Sequence, residues 1–118
     1  MKYIKQHGQN ILNEHSPKFS LLIVNLNGVK SNVLLKCLRA IENYAPDGSQ
    51  VIIVDNGSTD ESLLYLREFE SKYMGPVLLI LNDTNVGPSA ARKQAEIHLI
   101  GEITLLLDND AYVTASTF

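Results

Sequence analysis

Two carboxylates one residue apart, Asp108 and Asp110, close the segment LLLDNDAYV at residues 105–113. An Asp-x-Asp pair fits three chemistries: a divalent metal site, a polar surface turn, or the nucleophile loop of a phosphatase. In an extended segment the side chains at i and i+2 point the same way, so both carboxylates would face one cation. Mg2+ or Mn2+ is the expected ion. Hard cations take oxygen ligands and are often held by one or two carboxylates, with substrate phosphates completing the shell. Without a cation the two like charges would repel each other, which adds weight to the metal reading. Bound to a diphosphate, such an ion would neutralise charge developing on a leaving group.

Other groups capable of chemistry stand in three similar places: Asn25-Leu26-Asn27-Gly28, Asp55-Asn56-Gly57-Ser58 and Asn82-Asp83-Thr84-Asn85. Asp55 or Asn56 could hydrogen-bond a base edge or a ribose hydroxyl. Ordinary turn chemistry also explains Asn, Asp and Gly there, with Ser58 or Asp60 capping a helix. Arg92 could reach a phosphate or a base, or stand as a solvated helix-surface residue. His7, His15 and His98 show no ligand spacing, either among themselves or to the Asp pair. The sequence has neither a Gly-x-x-x-x-Gly-Lys-Ser/Thr loop nor a Gly-x-Gly-x-x-Gly fingerprint, so P-loop and dinucleotide readings lose their main support. A net charge of −3 without a basic tract gives no footing for nucleic acid. The single cysteine, Cys37, excludes an internal disulfide and a Cys-rich metal site, and its setting in NVLLKCLRAI suggests a helical core position.

The elements that must position these groups are legible as four apolar runs: FSLLIVN (19–25), QVIIVD (50–55), PVLLILN (76–82) and EITLLLD (102–108). Continuous rather than alternating apolar runs suit strands buried on both faces, as in a parallel sheet. Between them lie three helical patterns. The first has Leu34, Leu38 and Ile41 on one face, with Ser31 as its candidate cap. A possible capping box, Ser58-Thr59-Asp60-Glu61, opens the second, and Gly87-Pro88-Ser89 opens the third. The order predicts an α/β fold: a mostly parallel sheet of about four strands, with helices on both faces. In such sheets ligands sit beyond the carboxyl ends of the strands, where all four polar clusters fall. Residues 1–18 read as a weak helix or flexible lead-in, and 19–118 as one domain. No apolar run reaches the roughly 18 residues of a membrane span, and no apolar stretch marks a secretory leader, so a cytoplasmic location is expected.

Taken in order, FSLLIVNLNG, VIIVDNGSTDES, LNDTNVGPSAARKQA and GEITLLLDNDAYV resemble the nucleotide-sugar-binding half of family 2 glycosyltransferases, with their Rossmann-like GT-A fold, across residues 19–115. The resemblance implies transfer of a sugar, with inversion, from a nucleoside diphosphate-sugar to an unknown acceptor sugar or glycolipid, in polysaccharide or glycoconjugate synthesis. By motif position Asn25 and Asn27 would lie at the base pocket, Asp55 and Asn56 would contact the base or its surroundings, and Arg92 would sit near the nucleotide. Asp108 would help hold the ribose or a metal-bound water, and Asp110 would ligate Mn2+ or Mg2+. Leu26 stands where the family often has an aromatic, Asn56 where a second Asp is frequent, and Pro88 where an aromatic often follows the Gly. These departures leave the donor base and sugar open. The family's catalytic base lies after the Asp-x-Asp, so it is expected beyond Phe118. The chain alone is then expected to bind donor without turnover, to dimerise through an exposed sheet edge, and to meet a membrane only through a missing C-terminal part. Two other readings compete: a non-catalytic nucleotide-binding or interaction domain, and a haloacid-dehalogenase-like phosphatase with Asp108 as nucleophile.

Overall fold

The computed structural model describes the backbone of residues 2–7 and all of residues 17–118. Strand β1 (Lys2–His7) is followed by β2 (Phe19–Asn25), helix α1 (Leu34–Tyr44), β3 (Gln50–Asn56), α2 (Ser62–Lys72), β4 (Val77–Asn82), α3 (Pro88–Glu96) and β5 (Ile103–Asp108), with a final 3-10 turn at Ala115–Thr117. The sheet order is β1-β4-β3-β2-β5. Strands β4, β3, β2 and β5 are mutually parallel, as the apolar runs predict. The lead-in departs from expectation: Lys2–His7 is a strand antiparallel to β4, not a helix. An outer strand there satisfies the N–H and C=O groups that β4 would otherwise present along an open edge. The rest of the lead-in, residues 8–16, lies outside the described residues.

Alternation along the strands divides the core in two. Leu21, Ile23, Val51, Ile53, Leu79 and Leu81 pack with Leu34, Cys37, Leu38 and Ile41 of α1 and with Leu66 and Phe69 of α2. On the opposite face Leu22, Ile52, Val54, Leu78 and Ile80 meet Ala91 and Ala95 of α3. The two small alanines let α3 lie close on the sheet. Cys37 is in the core as its spacing implies, only 1% exposed. Burial, and secondarily the Asp110 carboxylate, pushes its thiol up to about 11, which keeps it protonated and unreactive.

Strand β5 is the exception to double burial. Among the described residues it has a strand neighbour only in β2, and Ile103 and Leu106 remain 44% and 59% exposed. Its starting point is fixed by a buried polar knot far from the strand ends that carry the Asp pair. The Gln50 side chain accepts hydrogen bonds from Ser20 Oγ (2.6 Å) and from the Ile100 N–H (3.0 Å), and its amide donates to the His98 carbonyl (2.7 Å). Gly101 N–H donates to Ser20 Oγ at 2.8 Å. These bonds clamp the α3–β5 turn to β2 and β3, and so set where Asp108 emerges. No helix among the described residues is long and apolar enough to cross a membrane.

Candidate functional site

Parallel pairing puts the carboxyl ends of β2, β3, β4 and β5 on one rim. Successive strands step outward from β2 through β3 to β4, and β5 then returns to the other side of β2. The crevice between β2 and β5 is therefore the switch point at which open α/β sheets bind ligands. Register levels the rim: Asn25 lies beside Asp55, Asn56 beside Asn82, and Val24 beside Asp108.

Beneath the rim the polar side chains are bonded to one another. Asp55, 4% exposed, accepts from Asn25 Nδ2 (2.9 Å), Ser58 Oγ (2.6 Å) and Ser58 N–H (3.0 Å). With its Nδ2 committed to Asp55, the fully buried Asn25 must turn its Oδ1 toward β5, where Asn109 Nδ2 donates to it at 2.8 Å. The middle residue of the Asp-x-Asp is thus the latch that holds the Asp loop against β2. Gly28 is required beside this latch: a Cβ there would run into Asn25 Oδ1 and come within 2.8 Å of both Asn109 Nδ2 and Leu34 Cβ.

Asn56, 2% exposed, ties a second pair of loops. Its Oδ1 accepts from Val86 N–H (3.2 Å) and Asn82 Nδ2 (3.1 Å), while its Nδ2 donates to the Gly87 carbonyl (3.1 Å). Asn82 in turn exchanges two hydrogen bonds with Gln94 of α3. The β4–α3 loop is thereby fastened to the end of β3. Asn27, in a left-handed conformation at φ 51°, accepts the Thr59 and Asp60 N–H groups on its Oδ1. Its own N–H donates to Ser58 Oγ.

The helix starts differ in detail from the sequence pattern. Ser58 is turned back onto Asp55, and Asp60 does the work of a cap for α2, accepting from Ser62 N–H (2.8 Å) and from Lys30 N–H (2.7 Å). Partial burial raises the Asp60 pKa, but the Ser62 hydroxyl and the Lys30, Ser62 and Val29 N–H groups outweigh it, leaving the carboxyl below its ordinary value. Ser31 does not cap α1; its hydroxyl bonds the Asn27 and Gly28 carbonyls in the preceding turn.

Asp108 and Asp110 are both exposed, yet they are not related by an extended segment. Strand β5 ends at Asp108, and a turn closed by Ala111 N–H on the Asp108 carbonyl (2.9 Å) carries Asn109 and Asp110. The same-side geometry expected of i and i+2 in a strand is therefore lost. Asp108 pairs with Arg92 of α3 at 3.2 Å. Among the described residues, no group of three or more His, Cys, Asp or Glu side chains is arranged to hold a metal. Of the residues singled out from sequence, Asn25, Asn27, Asp55, Asp108, Asp110 and Arg92 share the rim, with Asn56 securing the loop between Arg92 and β3. Ser58, Asn82 and Asn109 stood in the polar clusters read from sequence without these bonds being foreseen, and Gln94 escaped notice. Asn109 carried a signal, since a buried amide partner for Asn25 had to come from the adjacent strand end.

Residues 20–118 match the family described as glycosyl transferase family 2. The chain is 31% identical over 98 residues to the poly(ribitol-phosphate) beta-glucosyltransferase of Bacillus spizizenii, covering 81% of this chain and 15% of that protein. It is 27% identical to the poly(ribitol-phosphate) beta-N-acetylglucosaminyltransferase TarS of Staphylococcus aureus, over 85% of this chain and 17% of TarS. The chain thus spans about a sixth of the length of these relatives. A TarS fragment solved with UDP-GlcNAc superposes with a TM-score of 0.75 at 26% identity, over 85% of this chain and 28% of that one. A mannosyltransferase from Pyrobaculum calidifontis, solved with GDP-Man and Mn2+, shares the fold with a TM-score of 0.71 at 22% identity, over 84% of this chain and 29% of that one.

Proposed function

Because the chain belongs to glycosyl transferase family 2, we propose that it forms the donor half of an inverting enzyme that moves a sugar from a nucleoside diphosphate-sugar to an acceptor hydroxyl. The observation that carries this reading is the latch at the switch point. Asp55, Asn25 and Asn109 run as one hydrogen-bonded line from β3 to the Asp loop. They hold that loop without using its carboxylates, which stay at the surface for a ligand. The phosphatase reading fares worse, since Asp108, its nucleophile, is turned onto Arg92.

The buried Asp55 and Asn25 orient the pocket wall, and the groups left to meet the nucleotide are those at its lip. Asn27 has an amide nitrogen without a hydrogen-bond partner among the described residues, and Arg92 brings a guanidinium able to exchange Asp108 for a phosphate oxygen. Asp110 has no hydrogen-bonding or ion-pair partner among the described residues. A free carboxylate suits Mn2+ or Mg2+ when diphosphate oxygens supply further ligands. Asp110 would bind such an ion directly, with Asp108 joining once Arg92 turns to the phosphates. The ion would supply charge neutralisation on the leaving diphosphate. By analogy with the named substrates of the relatives, the acceptor is a poly(ribitol-phosphate) or a similar polyol-phosphate.

Calorimetric titration of UDP, GDP and dTDP, with and without Mn2+, tests the donor reading. One nucleotide is expected to bind more tightly with Mn2+, and Asp110→Ala should remove the Mn2+ dependence. Failure of all three nucleotides to bind would refute it.

A further inference from the structure

The rim carries an ion pair between Arg92 of α3 and Asp108 at the end of β5, in which one guanidinium nitrogen lies 3.2 Å from one carboxylate oxygen. It is a single contact close to water. The two side chains are 36% and 71% exposed, and no other hydrogen bond or ion pair engages either of them among the described residues. The backbones that carry them are fixed by other bonds. Asn56 fastens the loop leading into α3 through Val86 N–H and the Gly87 carbonyl, and Asn109 ties the turn after Asp108 to Asn25. An exchange of partner at either end therefore needs only side-chain rotation. Asp110 has no hydrogen-bond or ion-pair partner among the described residues, and no third acidic, His or Cys side chain there is arranged with the two carboxylates to hold an ion. In the free protein one carboxylate of the Asp-x-Asp is thus balanced by a cation built into the chain, and the other stands alone.

We propose that Arg92 is an internal counter-cation that competes with the divalent ion for Asp108, so that the site takes the ion well only after a diphosphate has drawn the guanidinium away. The inference rests on the donor reading and adds a regulation of that same site. A dication approaching Asp108 in the free protein meets the positive charge of Arg92 and finds one of the two carboxylates already engaged. A diphosphate changes both conditions. It supplies the oxygen ligands that a hard ion needs beside one or two carboxylates. It also offers Arg92 a better partner, because a planar guanidinium can bond two phosphate oxygens at once where it now holds one carboxylate oxygen. The coupling is reciprocal: whatever the diphosphate adds to ion affinity by removing Arg92, the ion adds to diphosphate affinity. An exposed pair shifts such an equilibrium by about two- to fivefold, so Arg92 tunes the coupling and does not switch it outright. Its action has opposite signs on the two ligands, against the ion in the free protein and in favour of the nucleotide. Loss of a residue that merely held the loop together would weaken both.

The test titrates Mn2+ alone into the nucleotide-free chain, with the unbound ion read from its electron paramagnetic resonance signal. UDP, GDP and dTDP are titrated calorimetrically into the same samples in EDTA. Arg92→Gln, which keeps the length of the side chain and removes its charge, is expected to bind Mn2+ about two- to fivefold more tightly than wild type. The same variant should bind the nucleotide about tenfold more weakly. Arg92→Lys retains the charge and should gain nothing for Mn2+. In an Asp108→Asn background the gain from Arg92→Gln should vanish, because the contested carboxylate is gone. An Arg92→Gln chain no tighter for Mn2+ than wild type overturns the proposal. So does an equal gain in Arg92→Lys, or a gain that survives Asp108→Asn. The two readings fail separately. Wild type that binds a nucleotide while Arg92→Gln gains nothing for Mn2+ removes the role of Arg92 alone. Wild type that binds none of the three nucleotides, with or without Mn2+, removes the donor reading on which that role rests.

Discussion

Replacing Asn56 by Asp probes the rim with a change of one functional group. The amide orientation at this position is fixed by two backbone partners of known polarity: Val86 N–H can only donate to it, and the Gly87 carbonyl can only accept from it. Asn56→Asp keeps the first bond and the one from Asn82, but it sets a carboxylate oxygen against the Gly87 carbonyl. Leaving that carbonyl unpaired costs about 1–3 kcal/mol. Burying a charge at a position 2% exposed adds to this, partly offset by the two donors that remain. A loss of roughly 2–4 kcal/mol near neutral pH follows, a large part of the ~5–15 kcal/mol that holds a typical domain together.

The penalty should depend on pH in a defined direction. When protonated, the introduced carboxyl can donate to the Gly87 carbonyl much as the amide does, so its folded-state pKa lies above the unfolded value of about 3.9. A raised acid pKa destabilises the fold when the group is ionised, so the penalty is full above the folded pKa. It shrinks as pH falls through that value toward the unfolded one. Urea denaturation of wild type and variant at pH 8 and pH 5 measures this. The expected result is a smaller gap at pH 5. A variant as stable as wild type at pH 8, or a gap that widens on acidification, would refute the assigned orientation and the account of the loop built on it.

Three further outcomes follow from the same contacts. Gly28→Ala should cost about 1–3 kcal/mol through overpacking, and it should weaken nucleotide binding even under conditions where the variant is fully folded, because the new methyl pushes Asn109 off Asn25; calorimetry alongside denaturation checks both. Arg92→Ala removes only an exposed ion pair, so denaturation should detect less than about 1 kcal/mol, while affinity for the nucleotide should fall around tenfold. Asp60 has a folded pKa below its ordinary value, so its contribution to stability is present above the unfolded pKa and lost as pH falls through the folded one; Asp60→Asn should destabilise modestly at pH 7, and the difference from wild type should close in acid titrations followed by circular dichroism.

Periodicity and continuity of apolar residues were enough to place β2 to β5 within a residue and to put a helix in each of the three intervals between them, because burial on a sheet leaves its mark on composition. The same logic misjudged β5. Its leucine run implied cover on both faces, but an edge strand has a neighbour on one side only, and Leu106 lies open. The lead-in was illegible for a different reason: a strand that pairs at an outer edge of the sheet is set by its partner, β4, whose paired residues lie seventy or more positions away in sequence and cannot be seen from local pattern. Within the site, the residue types were legible and their division of labour was not. Asn25, Asp55 and Asn56 looked like groups that touch a ligand, whereas burial gives them partners inside the protein. Two i, i+2 carboxylates looked like neighbours on one strand face, whereas a backbone hydrogen bond to the Asp108 carbonyl puts Asp110 in a turn.

That division of labour explains why amides dominate this rim. An amide both donates and accepts, so a line of them transmits direction: Asp55 can only accept, which turns Asn25 Nδ2 toward it, which leaves Asn25 Oδ1 to accept, which demands a donor from Asn109. A carboxylate at Asn25 would face Asp55 with like charge, and one at Asn109 would face the Asn25 carbonyl oxygen with nothing to donate. Aspartate is therefore confined to the ends of the line, at Asp55 where three donors converge and at Asp108 and Asp110 where solvent or a cation can balance the charge. The carboxylate-amide-amide sequence across β3, β2 and the β5 turn is the physical reason that the Asp-x-Asp of this chain has Asn at its centre.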